Sequence, residues 1–281
     1  MKDLKKYLTV LTFTGMVFCF YSLQAQEVIK EDEAEIQFKG DPEKVRIFWS
    51  NGDISVRSHN GNSVIIKIYN NLKDNDGDDE EQARGLRKFS RYDDSVEYEV
   101  RGSEIIIDCN SRPRYIRESY GNMINNHYDR SKSINAEILV PENIVLDIDQ
   151  KNHGNAHVEN FTGELFVNTE YDNVMLSGII GSISAVSKYA DVEVELSEIS
   201  KEQRYYFEAS YDDVDITIPA DKKFNIEIRT NNQFYTDFDF DQERDSRGGR
   251  SKQYAAYSVN GGGNEIGVKA IYGNVYLRKK R

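Results

Sequence analysis

A six-residue phrase recurs along this 281-residue chain and constrains its fold more than any other feature. Its pattern is Tyr, His or Asn, then a small or acidic residue, then Asp or Asn, then two apolar residues around a variable one. The instances are NGDISV (51–56), HGNAHV (153–158), YDNVML (171–176), YADVEV (189–194), YDDVDI (211–216) and YGNVYL (272–277). The interval from 211 to 272 is close to three of the shorter ones, and the number of coils does not follow from the sequence. Self-similarity with a period of about 20 residues is typical of solenoids.

Each position of the phrase has a structural reason. The two apolar residues share one face of a strand and the variable residue points away. Asp or Asn suits the bend, because its side chain bonds nearby backbone and tolerates positive φ. Stacked coils would place equal positions roughly 4.8 Å apart. We therefore predict two structural ladders, an aromatic one of Tyr171, Tyr189, Tyr211 and Tyr272, and an Asx one of Asn173, Asp191, Asp213 and Asn274.

Further alternating runs lie between the phrases, at 144–148, 163–167, 181–186 and 224–228. Each coil therefore has at least two short strands with a turn between them. Since no amphipathic helix is evident after position 25, we predict an all-β fold, a parallel β-solenoid with long inserted loops. A sandwich of antiparallel hairpins gives a similar alternation and remains the alternative.

The segment 1–25 has the organisation of a secretory signal peptide, with Lys2, Lys5 and Lys6 before an apolar run that ends near Tyr21. We expect cleavage after Ala25, leaving 26–281 as a single β-solenoid domain; an uncleaved anchor is the alternative. No other segment approaches the roughly 18 apolar residues of a membrane span. The remaining cysteine, Cys109, would have no disulfide partner, and its apolar strand predicts a buried thiol.

The formal net charge is −12, and removal of three Lys and one Asp with the leader takes it to about −14. Such a charge disfavours nucleic acid and anionic lipid as partners. It leaves a glycan or a surface protein as the expected partner. The predicted location is outside the cytoplasm: periplasm, cell envelope or medium. The oligomeric state does not follow from the sequence.

Three segments interrupt the repeat, at about 71–94, 111–133 and 241–253, and we interpret them as inserted surface loops. In solenoids such loops often gather on one face, which is the binding face in many cases. The alternative is that they are solvated loops with no binding role.

The first insertion carries the metal candidates Asp74, Asp76, Asp78 and Asp79. An EF-hand with Gly77 at its sixth position would need ligands at Leu72 and Ala83, which have no suitable side chain, so that loop type is excluded. A looser calcium site remains a weak alternative to an acidic surface loop, and no other cofactor is expected. His153 and His157 are four positions apart, a spacing that would bring two metal ligands together on a helix. A strand there would separate them by roughly 13 Å, so a metal site at this pair is not expected.

No phosphate loop, nucleophile elbow or zinc spacing is present, so we predict a protein that is not an enzyme. The alternative is a carbohydrate-active β-helix enzyme with carboxylates on one outer face, for which Glu193, Glu195, Asp213 and Asp215 are the candidates. Glycoside hydrolysis needs two carboxyl groups at a defined separation. Asp237 and Asp239 alternate with Phe238 and Phe240. We interpret the two aspartates as the solvent-exposed face of another strand.

The tyrosine phrases at 171–176, 189–194, 211–216 and 272–277 resemble those of the bacterial β-strand-repeat putative adhesins, a domain of unknown function related to auto-transporter adhesin heads. The resemblance is best over 140–281 and weaker over 36–70. It implies a right-handed parallel β-solenoid outside the cytoplasm, with an adhesive or envelope-stress role and no catalytic residues. We therefore expect a non-enzymatic binding scaffold, with a carbohydrate-active enzyme or a purely structural envelope protein as the alternatives.

Overall fold

The structure is a computed structural model that describes residues 27–29, 33–37, 42–70, 96–109, 133–243 and 254–280. Every regular element within these residues is a β-strand, which confirms the all-β prediction. No helix in the described part of the chain is long and apolar enough to cross a membrane.

The strands are short, from two residues in the shortest to ten in the longest. In order they are β1 (Glu27–Ile29), β2 (Glu33–Gln37), β3 (Lys44–Asn51), β4 (Ile54–His59), β5 (Ser63–Asn70), β6 (Val96–Arg101), β7 (Glu104–Cys109), β8 (Ile134–Pro141), β9 (Ile144–His153), β10 (Ala156–Glu159), β11 (Gly163–Thr169), β12 (Val174–Ile179), β13 (Ile183–Ser187), β14 (Val192–Leu196), β15 (Tyr205–Ala209), β16 (Val214–Pro219), β17 (Phe224–Thr230), β18 (Phe234–Thr236), β19 (Gln242–Glu243), β20 (Tyr254–Val259), β21 (Asn264–Ala270) and β22 (Val275–Lys280).

The strands form two large mixed sheets. The described strands of the first sheet lie in the order β1-β6-β7-β3-β9-β11-β13-β15-β21-β17-β20-β19, and those of the second in the order β18-β22-β16-β14-β12-β10-β4-β8-β5-β2. Antiparallel pairs occur at the ends of the sheets, for example β6 with β7 and β17 with β20. The central strands pair in parallel. The two layers therefore resemble a sandwich, but the central strands are not paired as the antiparallel hairpins of the predicted alternative.

From β8 to β18 the chain alternates between the two sheets at each turn. β9, β11, β13 and β15 are successive parallel neighbours in the first sheet, and β10, β12, β14 and β16 are successive parallel neighbours in the second. Parallel partners in each sheet are therefore two strands apart in this part of the chain. Equal positions of the recurring phrase fall in register, for example Val174 with Val192 and Val192 with Val214.

The core lies between the two sheets and consists of columns of apolar side chains. One inward column of the first sheet contains Ile47, Ile148, Val167, Ala185, Phe207, Val268 and Ile228, and the facing column of the second sheet contains Val56, Val158, Leu176, Val194, Ile216 and Leu277. All of these side chains belong to one buried cluster. Because alternate residues of each strand enter this core, the residues between them form the two outer faces.

The spatial order of the parallel strands departs from chain order in two places. β21 lies between β15 and β17, so the phrase at 272–277 stacks directly on the phrase at 211–216. The long interval between those phrases arises because the chain runs past this position to the end of the sheet and then returns. Similarly, β3 lies between β7 and β9, and β4 lies between β8 and β10.

Gly154 shows how closely the coils approach at the bend of the phrase. Its φ is +136°, and a Cβ on this residue would lie 2.1 Å from the carbonyl oxygen of Gly52 in the neighbouring coil. An L side chain rarely adopts this φ and would overlap that oxygen. The small residue of the phrase is thus required at this coil.

Some of the predicted features fall on residues that the structure does not describe. These are the leader 1–25 and the calcium candidates Asp74, Asp76, Asp78 and Asp79. Most of the three insertions also lies outside the described residues, and only Ser133, Asp241 and β19 are described.

Candidate functional site

The predicted tyrosines form one continuous stack, which we call the tyrosine corner (Tyr171, Tyr189, Tyr211 and Tyr272). Ring centroids of successive members are 5.0, 4.9 and 5.0 Å apart, and successive planes differ by 14°, 24° and 20°. The four side chains remain 49%, 39%, 53% and 58% exposed. His153 continues the row at 6.3 Å from Tyr171, with its ring tilted by 45°.

The stacking determines what the tyrosine corner presents to solvent. Tyr189 and Tyr211 each stack on a neighbour at both faces, so their edges and phenolic oxygens are what remain open. Lys188 Nζ lies 4.8 Å from the Tyr189 centroid and 3.3 Å from Glu170 Oε1. Hydrogen bonding to Tyr189 and Glu170 raises the pKa of Lys188, which keeps its ammonium group charged. The corner therefore offers no open aromatic face within the stack.

The predicted Asx residues form a hydrogen-bonded ladder beside the tyrosine corner. The backbone N–H of Asp191 donates to Asn173 Oδ1 at 3.1 Å, and the N–H of Asp213 donates to Asp191 Oδ1 at 3.0 Å. The N–H of Asn274 donates to Asp213 Oδ1 at 2.6 Å. Since each side chain accepts from the next coil, the ladder joins coils at the bend between the two sheets.

The same ladder continues beyond the residues that were predicted. The N–H of Gln233 donates to Asn274 Oδ1 at 3.3 Å at one end. Elsewhere, the N–H of Asn155 donates to Asp53 Oδ1 at 2.7 Å, and the N–H of Asp53 donates to Asn135 Oδ1 at 2.8 Å. Asn135 and Gln233 were missed because neither belongs to a complete copy of the phrase.

Three carboxylates approach one another at the ladder, those of Asp191, Asp212 and Asp213, with one oxygen from each within 4.8 Å of the others. Burial, together with the neighbouring Asp212 and against the opposing hydrogen bond from Asp213, raises the pKa of Asp191 to about 6. The hydrogen bonds among these residues already account for their positions. Carboxylates that approach each other do not by themselves define a metal site.

The outer face of the second sheet carries most of the carboxylates considered for catalysis. Glu193 and Asp215 are neighbours in one outward column, and Glu195 lies in the next. They border a shallow groove of about 340 Å³ together with Met175 and Thr217. Asp213 is not among them, because it lies in the Asx ladder at the corner.

Two of these carboxylates have cationic partners. Arg278 contacts both oxygens of Asp215, with Nε at 2.8 and 2.9 Å, and Nη2 lies 2.8 Å from Oδ2. Lys280 Nζ lies 2.6 Å from Glu195 Oε1. The outer face of the second sheet is consequently an ion-paired surface.

The outer face of the first sheet has a different character, and its aromatic residues were not predicted as site residues. Its middle column contains Arg46, Asp147, Phe166, Ser184, Tyr206, Gly267 and Glu227 in spatial order. Phe166 is 39% exposed and Tyr206 is 38% exposed. Neither ring stacks on another aromatic ring in the described part of the chain. The sequence signal was available, since both residues alternate with inward apolar residues and occupy positions where a polar residue is expected.

Small residues flank Tyr206 on both sides of this column. Ser184 lies on the rung between Phe166 and Tyr206, and Gly267 lies on the opposite side. A Cβ on Gly267 would lie 3.2 Å from Tyr206 Cδ2, so the tyrosine ring lies close to the Gly267 backbone. We call the surface of Phe166, Ser184, Tyr206 and Gly267 the aromatic face.

A depression of about 570 Å³ adjoins the aromatic face. Its lining includes Lys201, Arg204, Glu227, Glu265 and Gly267. The turn on one side is fixed because Asn264 Nδ2 donates to the carbonyl oxygens of Ser200 and, at 2.7 Å, of Gln203. The depression thus places charged hydrogen-bonding groups beside Gly267, the residue against which the ring of Tyr206 lies.

Tyr206 is also tied to a charged network. Its hydroxyl donates to Glu208 Oε2 at 2.5 Å, and Lys269 Nζ donates to Glu208 Oε1 at 2.6 Å. Burial and the adjacent Glu208 raise the pKa of Tyr206 to about 12. Burial alone would raise the pKa of Glu208, but the hydrogen bonds from Lys269 and Tyr206 outweigh it and lower that pKa. The phenol is therefore neutral and the carboxylate ionised at neutral pH.

The remaining candidates lie in ordinary structural settings. His157 lies on the second sheet 3.0 Å from Glu159, whereas His153 lies at the corner beside Tyr171. Cys109 is a buried thiol, as predicted. The strand predicted for Asp237 to Phe240 is wrong, because β18 ends at Thr236, whose Oγ1 accepts the N–H of Phe238. Phe238 nevertheless packs in the core while Asp237 and Asp239 are exposed.

No protein-family model matches the sequence, and no curated protein matches it. Similar solved structures include a putative cell adhesion protein from Clostridium sporogenes, with 13% identity and a TM-score of 0.41, covering 91% of this chain and 100% of that one. A putative adhesin from Bacteroides fragilis has 11% identity and a TM-score of 0.29, covering 90% and 98%. A putative lipid binding protein from Parabacteroides distasonis has 10% identity and a TM-score of 0.29, covering 89% and 96%. Similarity at this level establishes neither a shared family nor a shared function.

Proposed function

We propose that this protein is an exported, non-enzymatic binding scaffold that takes a glycan on its aromatic face. The apolar leader with its lysines supports export to the envelope, periplasm or medium. We further propose that the alternating strands form a parallel β-solenoid, which holds the outer faces rigid. No cofactor is required for this role.

The solenoid proposal is supported by the parallel pairs between strands two apart and by the two ladders at the corner. In such a stack each rung repeats at roughly 4.8 Å. Side chains of one outward column are thereby fixed relative to one another by backbone hydrogen bonds. A binding surface built this way needs little ordering when the ligand arrives.

The observation that carries the proposal is the placement of Phe166 and Tyr206 in one outward column with only Ser184 between them. Two rungs separate the backbones of Phe166 and Tyr206 by roughly 9.6 Å, with only the small side chain of Ser184 between them. Aromatic ring faces carry partial negative charge, and the C–H groups on one face of a sugar ring carry partial positive charge. A pyranose ring can thus rest against either aromatic side chain.

The polar surroundings fit a ligand rich in hydroxyl groups. Arg204, Glu227 and Glu265 line the adjoining depression. Glu208 is held ionised beside Tyr206 by Lys269. Binding sites typically combine such apolar contact with a few placed polar groups. The formal charge of −12 favours a neutral or cationic ligand over a polyanionic one.

Binding without hydrolysis is supported by the state of the carboxylates. Asp215 and Glu195 are neutralised by Arg278 and Lys280, and Glu208 is bound by Lys269 and Tyr206. A glycosidase needs one carboxyl group as acid and a second as nucleophile or base. An ion-paired carboxylate is poorly placed for either role.

A glycan array combined with a reducing-sugar release assay on the purified protein tests this proposal. We expect binding to neutral glycans without sugar release. Phe166→Ala and Tyr206→Ala should each remove most of the binding, whereas Tyr69→Ala, which changes an exposed tyrosine of the second sheet, should leave it intact. Sugar release, or binding that is unchanged in both aromatic variants, contradicts the proposal. A finding that the protein binds another protein but no glycan would also contradict the proposal.

A further inference from the structure

The tyrosine corner combines two properties that solenoid ladders need not share: close stacking and wide exposure. Tyr211 and Tyr272 stack at 5.0 Å between centroids with planes 20° apart, and they are 53% and 58% exposed. Exposed phenols are accessible to oxidants. Two phenols held side by side are also accessible to each other.

We propose that the tyrosine corner is a site of oxidative cross-linking, at which a one-electron oxidant joins Tyr211 and Tyr272 by a carbon–carbon bond between their ortho positions. A haem peroxidase with hydrogen peroxide is an oxidant of the required class. This modification is independent of the proposed glycan binding, because it involves neither Phe166 nor Tyr206.

The coupling conserves atoms and electrons. Each phenol gives up one electron and one proton and becomes a neutral phenoxyl radical with spin density on the ortho carbons. The two radicals couple, and the hydrogen on each joined carbon moves to its phenol oxygen. The pair thus loses two hydrogens in total, and one hydrogen peroxide takes up the two electrons and two protons to give two waters.

Proximity favours coupling within the molecule. Two groups held by a rigid scaffold react at effective concentrations far above those of dilute proteins in solution. The ortho carbons must approach from the stacked separation to bonding distance, which requires the rings to turn about their side-chain bonds. Their exposure allows that movement on the solvent side.

The charge distribution selects one end of the stack. Lys188 Nζ lies 4.8 Å from the centroid of Tyr189, and its pKa is raised, so a positive charge lies close to that ring. Removal of an electron from a ring close to a cation is disfavoured. Tyr211 and Tyr272 form the stacked pair that excludes Tyr189 and is also the more exposed.

The bond would fix the end of the two-sheet stack. Tyr211 and Tyr272 are distant in the chain, and β17, β20 and β21 are among the strands between them. These strands include the antiparallel pair β17–β20 near the end of the first sheet. The cysteine in the described part of the chain is a thiol, so no disulfide joins the described coils. A tyrosine cross-link would supply a covalent tie instead.

The test treats dilute purified protein with horseradish peroxidase and hydrogen peroxide, then maps linked peptides by mass spectrometry. We expect monomeric product with dityrosine fluorescence, and a peptide pair that contains residues 211 and 272 and lacks two hydrogens. Tyr272→Phe keeps the ring in the stack but has no phenolic hydrogen. It should unfold at the wild-type temperature before treatment and lose the 211–272 link after it.

Tyr69→Phe is the matched control, because Tyr69 is 51% exposed and lies outside the tyrosine corner. This variant should form the 211–272 link at the wild-type yield. Links found only between molecules, or only between other tyrosines, would overturn the proposal. A 211–272 link that leaves the thermal unfolding temperature unchanged would overturn the inference that the bond fixes the end of the stack.

Discussion

Asp191 Oδ1 accepts the backbone N–H of Asp213 at 3.0 Å, although both side chains belong to one cluster of carboxylates with Asp212. The hydrogen bond holds neighbouring coils together, while the clustered charges repel one another. Asn173 and Asn274 occupy equivalent positions in the ladder without a charge. The ladder needs the acceptor oxygen and does not need the carboxylate.

Asp191→Asn should therefore stabilise the protein at neutral pH. The pKa of Asp191 is raised to about 6 in the folded state, above its unfolded value near 4, so the folded state binds the proton more tightly. The stabilisation that protonated Asp191 gives the folded state is fully present below about pH 4 and is lost as the pH rises through about 6. Because the group is partly exposed, we expect a gain of about 1 kcal/mol at pH 8 and none at pH 4.

Urea unfolding of wild type and Asp191→Asn from pH 4 to pH 8 measures this effect. Asp221→Asn removes the same charge at an exposed turn and serves as the control. A gain that is equal at both ends of the pH range would show that the charge of Asp191 is not its cause. A gain that is equal in the control would show that overall charge and not the cluster is responsible.

Asn173→Ala should weaken the Asx ladder. It leaves the partly buried N–H of Asp191 without its 3.1 Å acceptor, which costs about 1 kcal/mol of unfolding free energy. Asn168→Ala, at a wider 3.4 Å contact on an exposed part of β11, should cost less than about 0.5 kcal/mol. An unchanged melting temperature for Asn173→Ala would refute the structural role of the ladder.

Gly154→Ala should destabilise the fold by more than the strain of placing an alanine at a positive φ. Gly102 has a φ of +65° and no atom within 4 Å of the place a Cβ would take, so Gly102→Ala measures conformational strain by itself, about 1 kcal/mol. Gly154→Ala adds the contact at 2.1 Å with Gly52 and should cost more than about 2 kcal/mol. Chemical denaturation of the two variants compares these costs, and equal losses would mean that the coils can separate to accept the methyl group.

The local features of the fold could be predicted because each copy of the phrase has the same local structure. The alternation about Met175 and Glu193 defined strands, and the tyrosine and Asx positions defined a corner. The spatial order of the strands could not be predicted, because the residues of one phrase do not show which other copy it stacks on. In the ladder, Asp53 pairs with Asn155 across 102 residues, and Asp213 pairs with Asn274 across 61 residues.

The aromatic face was missed for a related reason. Sequence patterns place Phe166 and Tyr206 on outward positions one by one, but only the register of β11, β13 and β15 brings them into one column. Only that alignment shows that the small residue Ser184 lies between the two aromatic residues. Conversely, Asp213 looked like a companion of Asp215 in sequence, yet the bend before β16 turns it into the ladder.

The most direct test of the proposed binding surface is an equilibrium titration of wild type, Tyr206→Ala and Arg278→Gln with a neutral glycan found on the array. Tyr206 lies on the aromatic face, whereas Arg278 lies on the ion-paired outer face of the second sheet. We predict that Tyr206→Ala weakens binding by about tenfold or more, the effect of losing roughly 1.4 kcal/mol, and that Arg278→Gln leaves the Kd unchanged. Loss of affinity in Arg278→Gln with none in Tyr206→Ala would contradict this account and place the binding surface on the second sheet.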